Sequence, residues 1–249
     1  KVKMKIVSKN QIAKETVEMV LENDIISEQA KPGQFLHISV AGHTLRRPIS
    51  IAHIDRQNKT VTILFKIIGS GTGTLAKYQV GDYLDVLGPN GGNGFPTDLS
   101  EEESVLLIGG GIGVPPLYCL ARELHQKGVK IQAILGFQSK EYMFYEEKFN
   151  DLGKTFIVTN DGSYGEKGLV TDMIEQVEDF DRYYSCGPLP MLRAVKETIH
   201  DKPGFLSFEE RMACGIGACF SCVIHTDTET GYKKICQDGP VFAANEVML

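Results

Sequence analysis

Val105-Leu106-Leu107-Ile108-Gly109-Gly110-Gly111-Ile112-Gly113-Val114-Pro115-Pro116 sets a short apolar run against four glycines and two prolines. The run has the length and density of a strand buried on both faces. The glycines let the backbone turn sharply and approach a ligand closely. Pro115 and Pro116 suit a first helical turn, where a missing N–H leaves no carbonyl unserved. Strand, glycine turn and helix start, in that order, make an anion site for a pyrophosphate. The spacing is not G-x-G-x-x-G, and the same residues would also serve as a plain turn before a proline-started helix.

Downstream the pattern repeats. Helices are predicted over 116–126, 142–149, 170–177 and 190–200, and strands over 130–136, 155–159 and 182–185. That βαβ rhythm predicts a parallel sheet with helices on its faces and ligands at the carboxyl ends of its strands. Ser185-Cys186-Gly187-Pro188 falls at such an end, so Cys186 is a candidate to face a nicotinamide or, equally, a buried thiol at a turn. Cys119, inside the first helix, reads as core.

Upstream the period changes to two. Strands are predicted over 2–7, 16–21, 34–40, 49–54, 60–67 and 83–87, with one helical piece over 73–78. Six short strands at this spacing predict a small antiparallel barrel, which has no open edge. The polar, acidic stretch 98–103 separates the two patterns.

The composition is that of an ordinary globular chain: 249 residues, 42% hydrophobic, 23% charged, net charge −6. A chain of this length buries roughly 70–75% of its unfolded surface, enough for a core without disulfides. The acidic balance argues against nucleic acid as the main partner. No apolar run approaches a membrane span, and residues 1–4 do not begin a signal peptide, so a soluble, cytoplasmic protein is expected.

Four of the six cysteines lie in the tail, as Cys214-x4-Cys219-x2-Cys222 followed by thirteen residues and Cys236. In a reducing compartment such a cluster binds metal more often than it forms disulfides. The spacing is that of plant-type [2Fe–2S] sites. Gly215 and Gly217 permit the tight wrapping turn, and a structural zinc, which usually takes two C-x2-C pairs, is the alternative. The expected organisation is an antiparallel β-barrel over 1–98, an α/β parallel-sheet nucleotide domain over 99–203 and a small C-terminal iron–sulfur subdomain over 204–249.

In the barrel, Arg46-Arg47-Pro48-Ile49-Ser50 places a guanidinium three residues before a hydroxyl, and Gly69-Ser70-Gly71-Thr72-Gly73 precedes a helical piece. The first can hold a flavin phosphate and the second offers N–H groups to another. Either alone reads equally as a surface arginine or a flexible turn. Arg47, Pro48, Ile49, Ser50, Gly71 and Thr72 are the flavin candidates, with Leu64, Phe65 and Lys66 on the neighbouring strand.

With these motifs placed, the chain resembles the ferredoxin–NADP reductase superfamily. Arg47-Pro48-Ile49-Ser50 is similar to its R-x-[YF]-[ST] flavin motif, with Ile49 where an aromatic is usual. Gly110-Gly111-Ile112-Gly113-Val114-Pro115-Pro116 resembles its nucleotide loop, and Cys186-Gly187-Pro188 its C-G-P motif beside the nicotinamide. The cysteine tail from Glu210 to Cys219, and Gly231 to Phe242, resembles the electron-transfer subunits of bacterial two-subunit, NAD-dependent dihydroorotate dehydrogenases. The resemblance implies FAD in the barrel, NAD(H) at Gly110, Gly111, Gly113 and Cys186, and a [2Fe–2S] cluster on Cys214, Cys219, Cys222 and Cys236. It also implies an FMN-containing catalytic subunit as partner, two of each chain, for pyrimidine biosynthesis. Small subunits of NADH-dependent ferredoxin–NADP oxidoreductases or sulfide dehydrogenases share these motifs, as do reductase subunits of anaerobic sulfite reduction. A zinc or redox-sensing module is the alternative from another class. The segment 137–141 carries no arginine to clamp a 2′-phosphate, and Glu141 would repel one, so NAD rather than NADP is expected.

Overall fold

Apolar and polar residues alternate from Val2, and this decides how the first strands close. The computed structural model describes residues 1–249. Strands β1 (Val2–Ala13), β2 (Thr16–Glu22), β3 (Phe35–Ser39), β4 (Arg47–Asp55), β5 (Thr60–Lys66) and β6 (Tyr83–Asn90) form a closed barrel in the order β1-β2-β5-β4-β3-β6. Every pairing is antiparallel. Met4, Ile6, Met19, Leu21, Leu36, Ile38, Ile51 and Ile63 fill the interior without exposure. Helix α1 (Asp24–Gln29) was not expected. It is one short stretch, capped by the Asn23 side chain accepting from the Ile26 N–H (3.0 Å). Helix α2 (Ser70–Leu75) starts three residues before the predicted piece, because the Thr72 hydroxyl accepts from the Ile68 and Gly69 N–H groups (3.0 and 3.3 Å).

The second unit is a sheet of β7 (Ser104–Gly110), β8 (Lys130–Phe137), β9 (Lys154–Thr159), β10 (Glu166–Lys167), β11 (Arg182–Cys186), β12 (Gly204–Ser207) and β15 (Val241–Ala243), in the order β10-β9-β8-β7-β11-β12-β15. β13 (Val223–His225) and β14 (Tyr232–Lys234) form a separate hairpin. The decisive run behaves as a doubly buried strand. Val105 and Leu107 join the core under helix α3 (Val114–Gln126), and Leu106 and Ile108 join the opposite core with α5 (Leu189–Thr198). All pairings are parallel except β12 with β15.

One expectation needs correction. The stretch over 142–149 is not one helix. It breaks into a single turn at Lys140–Tyr142 and α4 (Glu146–Asn150), because Tyr145 takes a left-handed conformation (φ 67°). Its ring packs 4.9 Å from the Tyr118 ring under the Lys148 ammonium, and its hydroxyl donates to Glu18 of β2. Packing between the two units overrides helix propensity there. The tail is joined to the nucleotide sheet from residue 204 onward. β12 and β15 extend the nucleotide sheet, and Leu206 and Phe242 sit buried in its core. The short α6 (Ile235–Asp238) carries Cys236.

Tyr145→Phe removes the hydroxyl that joins the units and leaves Glu18, which is mostly buried, short of a donor. The cost should be about 1–3 kcal/mol, read as a lower urea midpoint. An unchanged midpoint would show that this contact does not hold the units together.

Candidate functional site

A cavity of about 390 Å³ lies between the barrel and the tail. Arg47, Pro48, Ile49, Ser50, Leu64, Phe65, Lys66 and Thr72 line one wall, and residues 208–212 with Pro240 line the other. Gly71 stands behind the wall. A side chain there would overlap the Arg47 guanidinium, so the turn and the arginine motif, far apart in sequence, form one piece. Arg47 is aimed by the Leu45 carbonyl and by His43 Nδ1 at 3.1 Å.

A second cavity, about 570 Å³, opens at the carboxyl ends of β7, β8 and β11. Gly110, Gly111 and Gly113 form its floor with Gly187 and Pro188. Gly111 has φ +53° and only open space where a side chain would stand, so any substituent would project into the cavity. A side chain on Gly113 would overlap the Cys186 carbonyl. The Cys186 side chain takes the second of its two expected places, that of a buried thiol at a turn. It has no exposure and joins the α3-side core, and burial pushes its thiol well above the usual range. Its neighbours, not its sulfur, line the cavity. Glu141 is also not free to repel a phosphate, since its carboxylate pairs with Lys14 at 2.5 Å.

Lys66, Ile112 and Glu209 line both cavities, so these are two lobes of one cleft. Lys66 places its ammonium 4.3 Å from the centre of the Tyr142 ring. Glu209 opens onto both lobes, yet the protein packed around it disfavours its charge and pushes its carboxyl up to about 7. Sequence reading missed Glu209: one acid in Glu209-Glu210-Arg211 carries no spacing signature.

The cysteine loop closes the tail side. Gly215 and Gly217 take φ +71° and +77°, which turn N–H groups inward. Those of Ile216 and Cys219 point at Cys214 Sγ (3.5 and 3.4 Å), and that of Gly217 points at Cys236 Sγ (3.2 Å). The N–H groups, Ile216 first, hold the Cys214 thiol well below its usual range, whereas burial and then Cys222 push Cys236 up. No three His, Cys, Asp or Glu side chains are grouped to hold a single ion. All four thiols are free of disulfides, with Cys219 beside Cys214, Cys222 beside Cys236, and Cys214 also near Cys236. Four neighbouring thiols fit a two-iron cluster, and N–H groups aimed at sulfur fit its negative charge. Asn90 Nδ2 donates to the Gly215 carbonyl (2.9 Å) and Lys234 Nζ to that of Gly217 (2.6 Å), fixing the loop from both sides. Met212 is buried against the core, while Ile216 and Phe220 are 62% and 63% exposed.

Residues 209–248 match the family model described as the iron–sulfur cluster binding domain of dihydroorotate dehydrogenase B. Along its whole length the chain is 51% identical to the protein of Geobacillus kaustophilus named dihydroorotate dehydrogenase B (NAD(+)), electron transfer subunit, covering 99% of this chain and 98% of that one. The chain belongs to this family. The Bacillus mycoides subunit of the same name is also 51% identical, with the same coverage. Among solved structures, the NADH-dependent reduced ferredoxin-NADP oxidoreductase covers all of this chain and 90% of its own, with TM-score 0.89 and 29% identity. A Neisseria gonorrhoeae ferredoxin NADP+ reductase, at 15% identity and TM-score 0.64, covers 80% of this chain and 90% of its own and shares the fold. In this member of the family, then, the two-lobed cleft and the cysteine loop belong to a single chain.

Glu209 makes a pH prediction. Its folded carboxyl titrates at about 7, above its ordinary 4.5. The proton-holding folded state is therefore favoured below about 4.5, and that contribution is lost as pH rises through 7. Glu209→Gln should flatten this loss in the cofactor-free chain, so that its melting temperature falls less than the parent's between pH 5 and pH 8. Parallel curves would place the titration elsewhere.

Proposed function

We propose that the chain is the electron-transfer subunit of an NAD-dependent dihydroorotate dehydrogenase. It carries electrons between an iron–sulfur cluster, FAD and NAD(H), while dihydroorotate is oxidised on a separate FMN-containing catalytic subunit, two of each chain forming the complex. The observation that carries this reading is the single cleft: two lobes meet at Lys66, Ile112 and Glu209, and the cysteine loop borders one of them.

Arg47 and the N–H groups at the start of α2 hold the FAD phosphates, with Gly71 leaving room for the guanidinium. Pro48, Ile49, Ser50, Leu64, Phe65 and Lys66 wall the flavin ring, and Thr72 fixes the turn. Gly110, Gly111 and Gly113 admit the NAD(H) pyrophosphate beside the α3 N-terminus. Cys214, Cys219, Cys222 and Cys236 ligate the [2Fe–2S] cluster. A bound flavin exchanges a hydride with nicotinamide and single electrons with a cluster, which joins the two kinds of carrier. Glu209 brings to the junction a carboxyl that its surroundings make easier to protonate than an ordinary one. The functional units are 1–98 for FAD, 99–203 for NAD with the two sheet strands lent by the tail, and 204–249 for the cluster.

Ile216 and Phe220, with the Tyr232 ring 5.5 Å from that of Phe220, form an exposed apolar patch beside the cysteine loop. Apolar and aromatic residues of this kind suit the core of an interface, here that with the catalytic subunit. The ferredoxin-linked reading keeps support from the shared fold, but its structure is 29% identical where the dihydroorotate dehydrogenase subunits reach 51%. No helix is long and apolar enough to cross a membrane. We place the complex in the cytoplasm, where free thiols persist.

Serine at Cys214, Cys219, Cys222 or Cys236 should strip most of the iron and the long-wavelength absorbance, whereas Cys119→Ser should leave both. Loss of iron with Cys119→Ser but not with Cys236→Ser would overturn the ligand set. The isolated chain should oxidise NADH with an artificial dye and should make no orotate from dihydroorotate until the FMN subunit is added. Orotate formation by the pure chain, with no partner detectable by mass spectrometry, would sink this division of labour.

A further inference from the structure

His37 sits where the barrel, the flavin lobe and the cysteine loop meet. Strand parity puts it outside the barrel: Leu36 and Ile38 join the interior, and Phe35 joins the core that holds Cys222 and Cys236. Register sets Pro48 opposite His37 and Ser50 opposite Phe35. On its far side the ring meets Gly215. Nδ1 is the atom closest to where a Gly215 side chain would stand, and none could fit.

The ring has no exposure, and neither Nδ1 nor Nε2 has a hydrogen-bond partner. They are the only buried side-chain nitrogen or oxygen atoms in the chain left in this state. Burial, and then the nearby Arg46 charge, disfavour protonation, so the ring is neutral and carries one N–H and one lone pair. An unmade buried N–H costs about 1–3 kcal/mol, and native structures seldom leave one. The nearby backbone acceptors do not make this bond: the Arg46 backbone lies close enough to favour the protonated ring but misses hydrogen-bond geometry, and the Gly215 carbonyl, which takes the Asn90 amide, is no partner of either nitrogen. No group of the polypeptide meets the ring nitrogens in hydrogen-bond geometry, which leaves room for an acceptor from outside the polypeptide. The loop against the ring is the one that presents Cys214.

We infer that His37 donates a ring N–H to a sulfur of the bound cluster, a bridging sulfide or the Cys214 thiolate, and as a positioning residue sets how readily that cluster is reduced. This rests on the cysteine assignment made above. A donor aimed at sulfur stabilises the added electron, so it raises the cluster's potential. The flavin also offers acceptors, but Phe35 and Pro48 line its lobe and His37 does not.

The test uses the full chain with its cofactors. Iron content and cluster absorbance of the parent come first; a parent without a cluster would overturn the proposed function, and the role of His37 with it. In a redox titration followed by electron paramagnetic resonance, His37→Phe should lower the cluster potential. At one poise the oxidised-to-reduced ratio should rise about tenfold, which is 59 mV for a one-electron couple. His37→Asn, which keeps an N–H donor, should recover part of the shift. The flavin potential should stay in place. A shift confined to the flavin, or equal potentials in parent and Phe variant, would overturn the assignment. A second measurement needs no variant. Pulsed resonance of the reduced parent grown with ¹⁵N-histidine should show a weakly coupled histidine nitrogen, and its absence would overturn the hydrogen bond even if His37→Phe fails to assemble a cluster.

Discussion

The site depends on a short ladder: β12 lies parallel to β11, and β15 runs antiparallel beside β12. Through it the tail is fastened to the sheet that carries the glycine loop. Leu206 pairs with Phe242, and both are buried, so the fastening is hydrophobic as well as hydrogen-bonded. The Phe208 N–H donates to the Pro240 carbonyl (2.9 Å) just past the ladder, and the chain then runs directly into Glu209 and the cysteine loop. Without those few pairs, the wall shared by the two lobes would have no fixed position relative to Arg47 or to Gly111.

Desolvation acts with opposite chemical signs on the two titratable groups nearest this junction. It raises a carboxyl, and Glu209 moves up to about 7; it lowers an imidazole, and His37 moves down to about 4. Both shifts favour the neutral form. The fixed charge around the cleft is carried by Arg47, Lys66, Glu210 and Arg211, while the shifts at Glu209 and His37 work against adding more. In such surroundings the hydrogen bonds that do reach a cofactor count for more than they would in water.

Much of this was legible in the sequence because periodicity is a local signal. The period-two barrel strands and the alternating strand–helix rhythm identified both main units, and fixed spacing picked out the cysteines, the glycine loop and the Arg47 to Ser50 motif. What failed depends on contacts distant in sequence. Tyr145 leaves the helical region for the sake of Glu18 and Tyr118. β12 and β15 have only four and three residues, too few to show a period, and exist because β11 offers a partner. For Cys186 two readings stayed open because ending a strand does not say which face a side chain takes; it shares the α3-side core with Tyr184, two residues earlier. Glu209 and His37 are single polar residues whose meaning comes from what folds around them, a cleft for Glu209 and a buried junction for His37, which no spacing encodes.

The cysteine loop has two unlike faces, and this gives the chain a direction. Toward the flavin lobe it is preceded by Arg211 and Met212, which line that lobe, with Met212 buried. Toward solvent it presents Ile216 and Phe220, the latter under the Lys234 ammonium at 4.3 Å from the ring centre. One face is finished by the chain itself and the other is apolar, cationic at its edge and uncovered. A chain that used its cluster only as an internal store would have reason to bury both faces. Leaving one exposed costs contact with water, a cost that association with a partner removes. On the proposed function, this asymmetry suits flavin exchange on the inner side of the loop and a partner on the outer side.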